Sequence, residues 1–398
     1  MTRLLEGVLV LDLTRMLAGP YGALLLADLG AEVIKVEEPS GGDPVRGMGP
    51  PFVKGESAYF ISINRNKKSL ALDLTTPRGR EVFLRLVREA DVVLDNFRPG
   101  TLERLGVDYP ALRRVNPRII ACSISAFGQD GPYRSLPAFD LILQAMGGAM
   151  SITGEPNRDP VRMGVPMGDL AGGLFGAMAV AAALFQRERS GEGSYVDLSL
   201  LDCQVSLLTY VAQYFLVTGE VPGPVGSAHA SAVPYQAFKT KDIHIVIAIF
   251  TERFWSQFCN VIGRPDLVED PHFATNRERH AHRHELIPIL EAIFATRTGE
   301  DWLTVLRAEG IPSGPIHTVD RVLSDPQVLH RGMVAEIEHP ICGRLKVVGN
   351  PVKTFPADGE TFPPPPALGQ HTEEVLRRVG YTSADIESLR REKIISGS

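Results

Sequence analysis

Asp169 stands in the stretch Gly164-Val165-Pro166-Met167-Gly168-Asp169-Leu170-Ala171-Gly172-Gly173, just before an apolar run from Leu174 to Phe185. A carboxylate flanked by residues without side chains can be approached closely by a large ligand. Peptide N–H groups around Gly168 and the Gly172-Gly173 pair are expected to support a developing oxyanion at the start of the following helix. Together these features describe a carboxylate nucleophile. An Asp ahead of an apolar helix is also a favoured N-cap, so the segment taken alone leaves both roles open.

Other residue types with chemical potential are more easily accounted for. The basic residues Arg46, Arg65, Lys67, Lys68, Arg98 and Arg104 recur near expected strand ends, where charged side chains are usually solvated. Asn96-Phe97-Arg98-Pro99-Gly100 is more pointed. It follows a buried-type strand and opens a helix, where an amide, a ring and a guanidinium can grip an adenine and phosphates. His280, His282 and His284 do not share one helix face at their i, i+2 spacing, so no metal is expected. Ser123, Ser125 and Ser199 lack the G-x-S-x-G context of a serine hydrolase. Cys122, Cys203, Cys259 and Cys342 lie far apart without a C-x-x-C pair, which fits a reducing compartment.

These groups must be positioned by regular elements. Short apolar runs at 8–13, 32–36, 91–94 and 118–123 read as buried strands, and a helical stretch from the Gly19-Pro20 break to Leu29 and helical patterns near 78–89 and 101–105 separate them. That alternation predicts an α/β fold with a doubly wound parallel sheet. Gly19 and Gly22 follow the first strand, and Glu37 and Glu38 end the second. The full G-x-G-x-x-G is absent and Pro20 interrupts the loop, so a Rossmann-type scaffold without NAD is expected. Helical segments follow from 169 to 217, then a break at 219–226, a strand-like run at 243–250, and helices near 253–262, 283–295, 372–379 and 383–391. The boundaries predicted are a large domain over 1–200, a linker over 201–230, a small domain over 231–325, and a return linker with C-terminal helices over 326–398.

Composition narrows the classes further. The chain has 398 residues, 44% hydrophobic and 22% charged, as in ordinary soluble globular proteins. A net charge of -6 without a long basic run argues against a nucleic-acid partner. The run from Leu174 to Phe185 is shorter than the roughly 20 apolar residues a membrane span needs. The first residues carry Glu6 and Asp12 and no small-residue cleavage site, so a first strand rather than a signal peptide is expected, and a cytoplasmic location with it.

In order along nearly the whole chain, several motifs resemble the class III CoA-transferases, the family that includes formyl-CoA transferase and carnitine CoA-transferase. They are Leu11-Asp12-Leu13-Thr14 with Ala18-Gly19-Pro20, Leu29-Gly30-Ala31-Glu32-Val33-Ile34-Lys35-Val36-Glu37, and Asn64-Arg65-Asn66-Lys67-Lys68-Ser69. Asn96-Phe97-Arg98-Pro99-Gly100, Gly168-Asp169, Gly191-Glu192-Gly193 and Leu368-Gly369-Gln370-His371-Thr372 continue the series. The resemblance implies a Rossmann-type large domain with a parallel sheet built from both chain ends, a smaller inserted α+β domain and an interlocked homodimer. It implies Asp169 as nucleophile, passing through an aspartyl-CoA thioester. It implies CoA contacts at Ala18, Lys68, Asn96, Phe97, Gly100 and Arg104, with CoA as a substrate and no tightly bound cofactor. The partners implied are acyl-CoA and small carboxylic acids, a dicarboxylate such as succinate among them.

Leu17 and Glu38 stand where formyl-CoA transferases have a glutamine and an arginine, which argues against an oxalate–formate pair. The related α-methylacyl-CoA racemases place a His-Asp pair where this chain reads Phe139-Asp140, and phenylalanine cannot move a proton. A racemase or isomerase, and a non-catalytic acyl-CoA-binding protein in which Asp169 only caps a helix, are the alternatives.

Overall fold

The computed structural model describes residues 3–354 and 362–397. Two compact units make up the chain. One comprises Met1–Ala149, Arg162–Gly219 and Gln327–Ser398, and the other Met150–Val161 and Glu220–Pro326.

The first unit is built on a sheet of strands β1 (Leu9–Asp12), β2 (Glu32–Glu37), β3 (Lys67–Leu72), β4 (Val92–Asp95), β5 (Ile120–Ser125) and β6 (Tyr195–Ser199). Their order is β3-β2-β1-β4-β5-β6, all parallel, and the two-residue strand Ile395–Ser396 closes the β3 edge antiparallel. Strands β1, β4 and β5 are buried along their whole length, because helices cover both faces of the sheet. Leu9 and Leu11 point into a core shared with Phe83, Leu86 and Leu376; Val10, between them, points into a second core with Leu26 and Val180. The alternation follows from the two-residue period of a strand.

Four helices frame the region of interest: α1 (Ala18–Asp28), α2 (Asp140–Met146), α3 (Met167–Ser190) and α4 (Leu200–Leu207). α1 and α3 touch through glycines. A Cβ on Gly22 would stand 2.9 Å from the Gly173 carbonyl oxygen, and one on Gly173 would stand 2.7 Å from that of Ala18. No other residue type allows backbones to approach this closely. α3 has the length and apolar composition to cross a membrane, yet its glycine-bearing side is buried against α1 and α4. It ends at Gly191, whose φ of +76° suits a left-handed C-cap.

The expected linker over 201–230 is corrected. Residues up to Thr218 are helical, in α4 and α5 (Thr209–Thr218), and belong to the first unit. The helical pattern read over 169–217 is present, and the chain leaves the first unit only at the break that begins at Gly219.

The second unit carries a three-stranded antiparallel sheet of Tyr235–Lys239, His244–Ala248 and Ser313–Pro315. Trp255, Phe258, Phe294 and Trp302 fill its core against Phe238 and Ile245. Residues 150–161, expected in the large domain, fall in this unit instead.

Candidate active site

The sheet reverses its winding between β1 and β4, so the connections after these strands diverge and leave a crevice at their carboxyl ends. Asn96 ties the two connections together. Its Oδ1 accepts the Arg15 N–H at 2.8 Å and its Nδ2 donates to the Arg15 carbonyl at 2.7 Å. The Arg15 guanidinium lies 5.1 Å from the centre of the Phe97 ring.

A cavity of about 210 Å³ opens here, lined among others by Met16, Ala18, Asn96, Phe97, Phe139 and Asp169. Of the residues predicted from sequence, Asp169, Ala18, Asn96 and Phe97 therefore meet in one place. Gly100, at φ +84°, starts the helix Thr101–Leu105 and lines an adjoining cavity of about 360 Å³ that shares Phe97, Arg98 and Arg134.

Two predicted contacts lie outside both cavities. Lys68 is ion-paired to Glu32 at 2.8 Å and to Glu374 at 2.6 Å. Arg104 is exposed and donates to the Thr101 hydroxyl at 3.2 Å. Lys67, read as a solvated charge, is instead fully buried against Asp12.

Asp169 is the third residue of α3 and half buried. It is not the cap. Pro166 occupies the cap position without a side-chain hydrogen bond, and a tertiary contact does the capping. Asp140 Oδ1, from the first turn of α2, accepts the N–H groups of Gly168 at 2.9 Å and Asp169 at 3.3 Å. Gln144 Nε2 holds the other Asp140 oxygen at 2.7 Å. Burial, then the charge of Asp140, pushes the Asp169 pKa up to about 7. Tyr59, on the helix Ala58–Ile63, faces the same charges; burial and then Asp169, Asp43 and Asp140 raise its hydroxyl to about 12. The sequence marked Asp140 only as half of the pair that racemases carry, not as a partner of Asp169, and it gave no sign of Tyr59, since no spacing rule links either to Asp169.

The predicted oxyanion support from Gly168, Gly172 and Gly173 is corrected by this geometry. The Gly168 N–H is taken by Asp140. Gly172 and Gly173 lie inside α3, where a Cβ would strike Leu200 from α4 and the backbone of α1. They are small for helix packing, not for a thioester. The start of α1, where Leu17 makes no side-chain capping hydrogen bond, reaches the cavity wall at Ala18.

Behind that wall the turn from Leu13 to Ala18 is clamped by buried charges. Lys35 Nζ donates to the Thr14 carbonyl at 2.7 Å and pairs with Asp43 at 2.9 Å, both side chains fully buried. Asp43 Oδ1 accepts the N–H of Met16, a non-glycine residue at φ +68°. Lys67 reaches the Pro20 carbonyl at 2.9 Å and Asp12 at 3.0 Å. Burial opposes the Asp12 charge, but Lys67 and Lys35 outweigh it and hold its pKa below the ordinary value. Burial lowers Lys67 to about 8 against the pull of Asp12.

The histidines of 280–284 point apart. His280 bonds the Ala230 carbonyl at 2.9 Å and His282 that of Glu278 at 3.0 Å. His272, His282 and Glu285 bring ligand-type atoms within 4.8 Å, but the two imidazoles stack at 4.1 Å. Stacked rings aim their in-plane lone pairs past each other rather than at one ion.

Fold and site thus define an α/β protein whose half-buried carboxylate faces a ligand cavity at the switch point of a parallel sheet. The sequence profile of CoA-transferase family III matches residues 5–372, and the chain belongs to that family. It is therefore a CoA-transferase. Succinyl-CoA:glutarate CoA-transferase of Mus musculus is 45% identical over 386 residues, spanning 97% of this chain and 88% of that protein. Succinate–glutarate CoA-transferase of Agrobacterium fabrum is 38% identical over 393 residues, spanning 97% and 96%. The crystal structure of a CAIB/BAIF family protein from Brucella suis superposes with a TM-score of 0.84 at 38% identity, covering 95% of this chain and all of that one.

Proposed function

We propose that this enzyme moves CoA from an acyl-CoA to a dicarboxylic acid, with Asp169 as covalent nucleophile. The relatives named for succinate and glutarate support the acid class. The placement of Asp169 in the switch-point cavity carries the catalytic part.

The ionised Asp169 attacks the thioester carbonyl, the C–S bond breaks, and CoA thiolate leaves a mixed anhydride. The thiolate then attacks the aspartyl carbonyl and expels the donor carboxylate, forming aspartyl-CoA thioester. The acceptor carboxylate attacks that thioester and releases the thiolate once more. Attack of the thiolate on the acceptor's acyl carbonyl yields the new acyl-CoA and restores Asp169. A carboxylate suits the sequence because each exchange joins groups of similar reactivity, whereas a serine ester would dissipate the thioester's energy. The positive end of α1, with Ala18 in the same wall, favours the oxyanions that form. Asn96, Phe97 and Gly100 frame the course of CoA.

The working form is a homodimer. α5 has no buried residue in the single chain, and Leu216 and Val217 are 72% and 74% exposed. Leu174, Met178 and Phe185 are likewise exposed on α3. The interlocked arrangement and a soluble, cytoplasmic setting belong to the same reading.

The decisive experiment offers the purified protein acyl-CoA donors and acids in pairs, with exchange and enzyme mass followed by mass spectrometry. CoA exchange with an adduct on Asp169 is expected, and Asp169→Asn should form none. Exchange without any adduct would remove the covalent route.

A further inference from the structure

We propose that Arg134, with Arg98 beside it in the same cavity, receives the distal carboxylate of a dicarboxylic acid. The proposal rests on the CoA-transferase reading of Asp169. Three charged residues line the cavity: Asp169, Arg98 and Arg134. The other lining residues are neutral, and the Asn96 amide is already committed to the Arg15 backbone. Arg46, Arg65 and Arg187 of this unit are paired to Glu37, Asp28 and Asp91. Arg98 and Arg134 have no acidic partner at ion-pair distance among the described residues.

The chain path connects Arg134 to the reacting centre. From Arg134 it runs through Leu136, Pro137, Ala138 and Phe139, all in the cavity wall, and reaches Asp140, which holds the N–H groups of Gly168 and Asp169. Arg98 enters the same cavity from the turn after β4.

A dicarboxylic acid brings one carboxylate to the carbonyl on Asp169 and must place a second nearby. Asp169 is then esterified and neutral, but the Asp140 carboxylate is close, so that second charge is disfavoured unless a cation meets it. A guanidinium does so through two parallel N–H···O bonds, a geometry an ammonium lacks. A monocarboxylic acid makes no such bonds, so these arginines distinguish acids rather than drive the common chemistry.

The test compares glutarate with valerate as acceptors for one acyl-CoA donor, using the full-length enzyme and Arg134→Met, Arg98→Met and Arg134→Lys. CoA affinity is measured alongside by calorimetry. Arg134→Met is expected to lower the ratio of kcat/KM for glutarate over valerate about tenfold or more, mainly through the KM for glutarate. Arg134→Lys should recover part of that ratio. Equal losses for both acids with weaker CoA binding would assign these arginines to CoA phosphates and overturn the proposal. An unchanged ratio in both methionine variants would overturn it too. Those failures leave wild-type exchange intact, whereas a wild-type protein that exchanges CoA with no acid removes the underlying reading as well.

Discussion

Asp140 Oδ1 accepts the main-chain N–H groups of both Gly168 and Asp169, at 2.9 and 3.3 Å. One carboxylate thus caps α3 and places a negative charge beside Asp169. Asp169 must be ionised to attack, and burial together with Asp140 sets its pKa at about 7. In the free enzyme kcat/KM should therefore rise with pH through that value. Asp140→Asn removes the charge and should move the acid limb to lower pH, with turnover reduced by imperfect capping. A pH–rate profile with an unmoved limb would contradict this.

The same raised pKa has a stability consequence. Folding favours the neutral form of Asp169, so its contribution is fully present below the ordinary value of 3.8 and is lost as pH rises through about 7. Asp169→Asn should consequently melt a few degrees above wild type at pH 8 and lose that advantage toward pH 4. Calorimetric melting across this range measures it.

Gly173 lies where α3 meets α1, with the Ala18 carbonyl 2.7 Å from the position of a Cβ. Gly173→Val should cost about 1–3 kcal/mol through overpacking. Denaturant unfolding should show the loss, and a Gly173→Val enzyme of wild-type stability with reduced turnover would return the residue to a catalytic role.

Lys35 and Asp43 form a buried pair that fixes the Thr14 carbonyl and the Met16 N–H. Lys35→Met or Asp43→Leu alone should destabilise by about 3–5 kcal/mol, since each strands a charge. The double substitution should recover much of that stability but little turnover, because Met16 then has no partner holding its left-handed conformation. A double-mutant cycle in unfolding and activity separates the two effects.

Leu216 and Val217 project from α5 at 72% and 74% exposure. If α5 is a dimer face, Leu216→Asp should shift the protein from dimer to monomer in light scattering, and a dimer of unchanged strength would place the interface elsewhere.

Much of the fold is legible locally. Apolar runs such as Leu9–Asp12 and Ile120–Ser125 sit in strands within a residue or two of where their composition places them, because a strand buried on both faces has to be continuously apolar. Asp169 and the Asn96–Gly100 turn were legible as candidates, and Asp169, Asn96 and Phe97 line one cavity. Strand β3 was not legible, since Lys67 and Lys68 open it and a charged pair reads as surface.

That pair shows where the sequence stops. Neighbours in a strand point to opposite faces, so Lys67 enters the interior and Lys68 the exterior. Their partners, Asp12 and Glu374, are 55 and 306 residues away. The type and order of the residues determined by themselves the α/β architecture and the family, and singled out Asp169 as the candidate nucleophile, because each depends on pattern along the chain. Tertiary structure alone decided that Asp140, 28 residues before Gly168, caps α3, that the glycines after Asp169 serve helix contacts, and that Arg98 and Arg134 share its cavity. Those relations are made by distances across the folded chain, which spacing along it does not record.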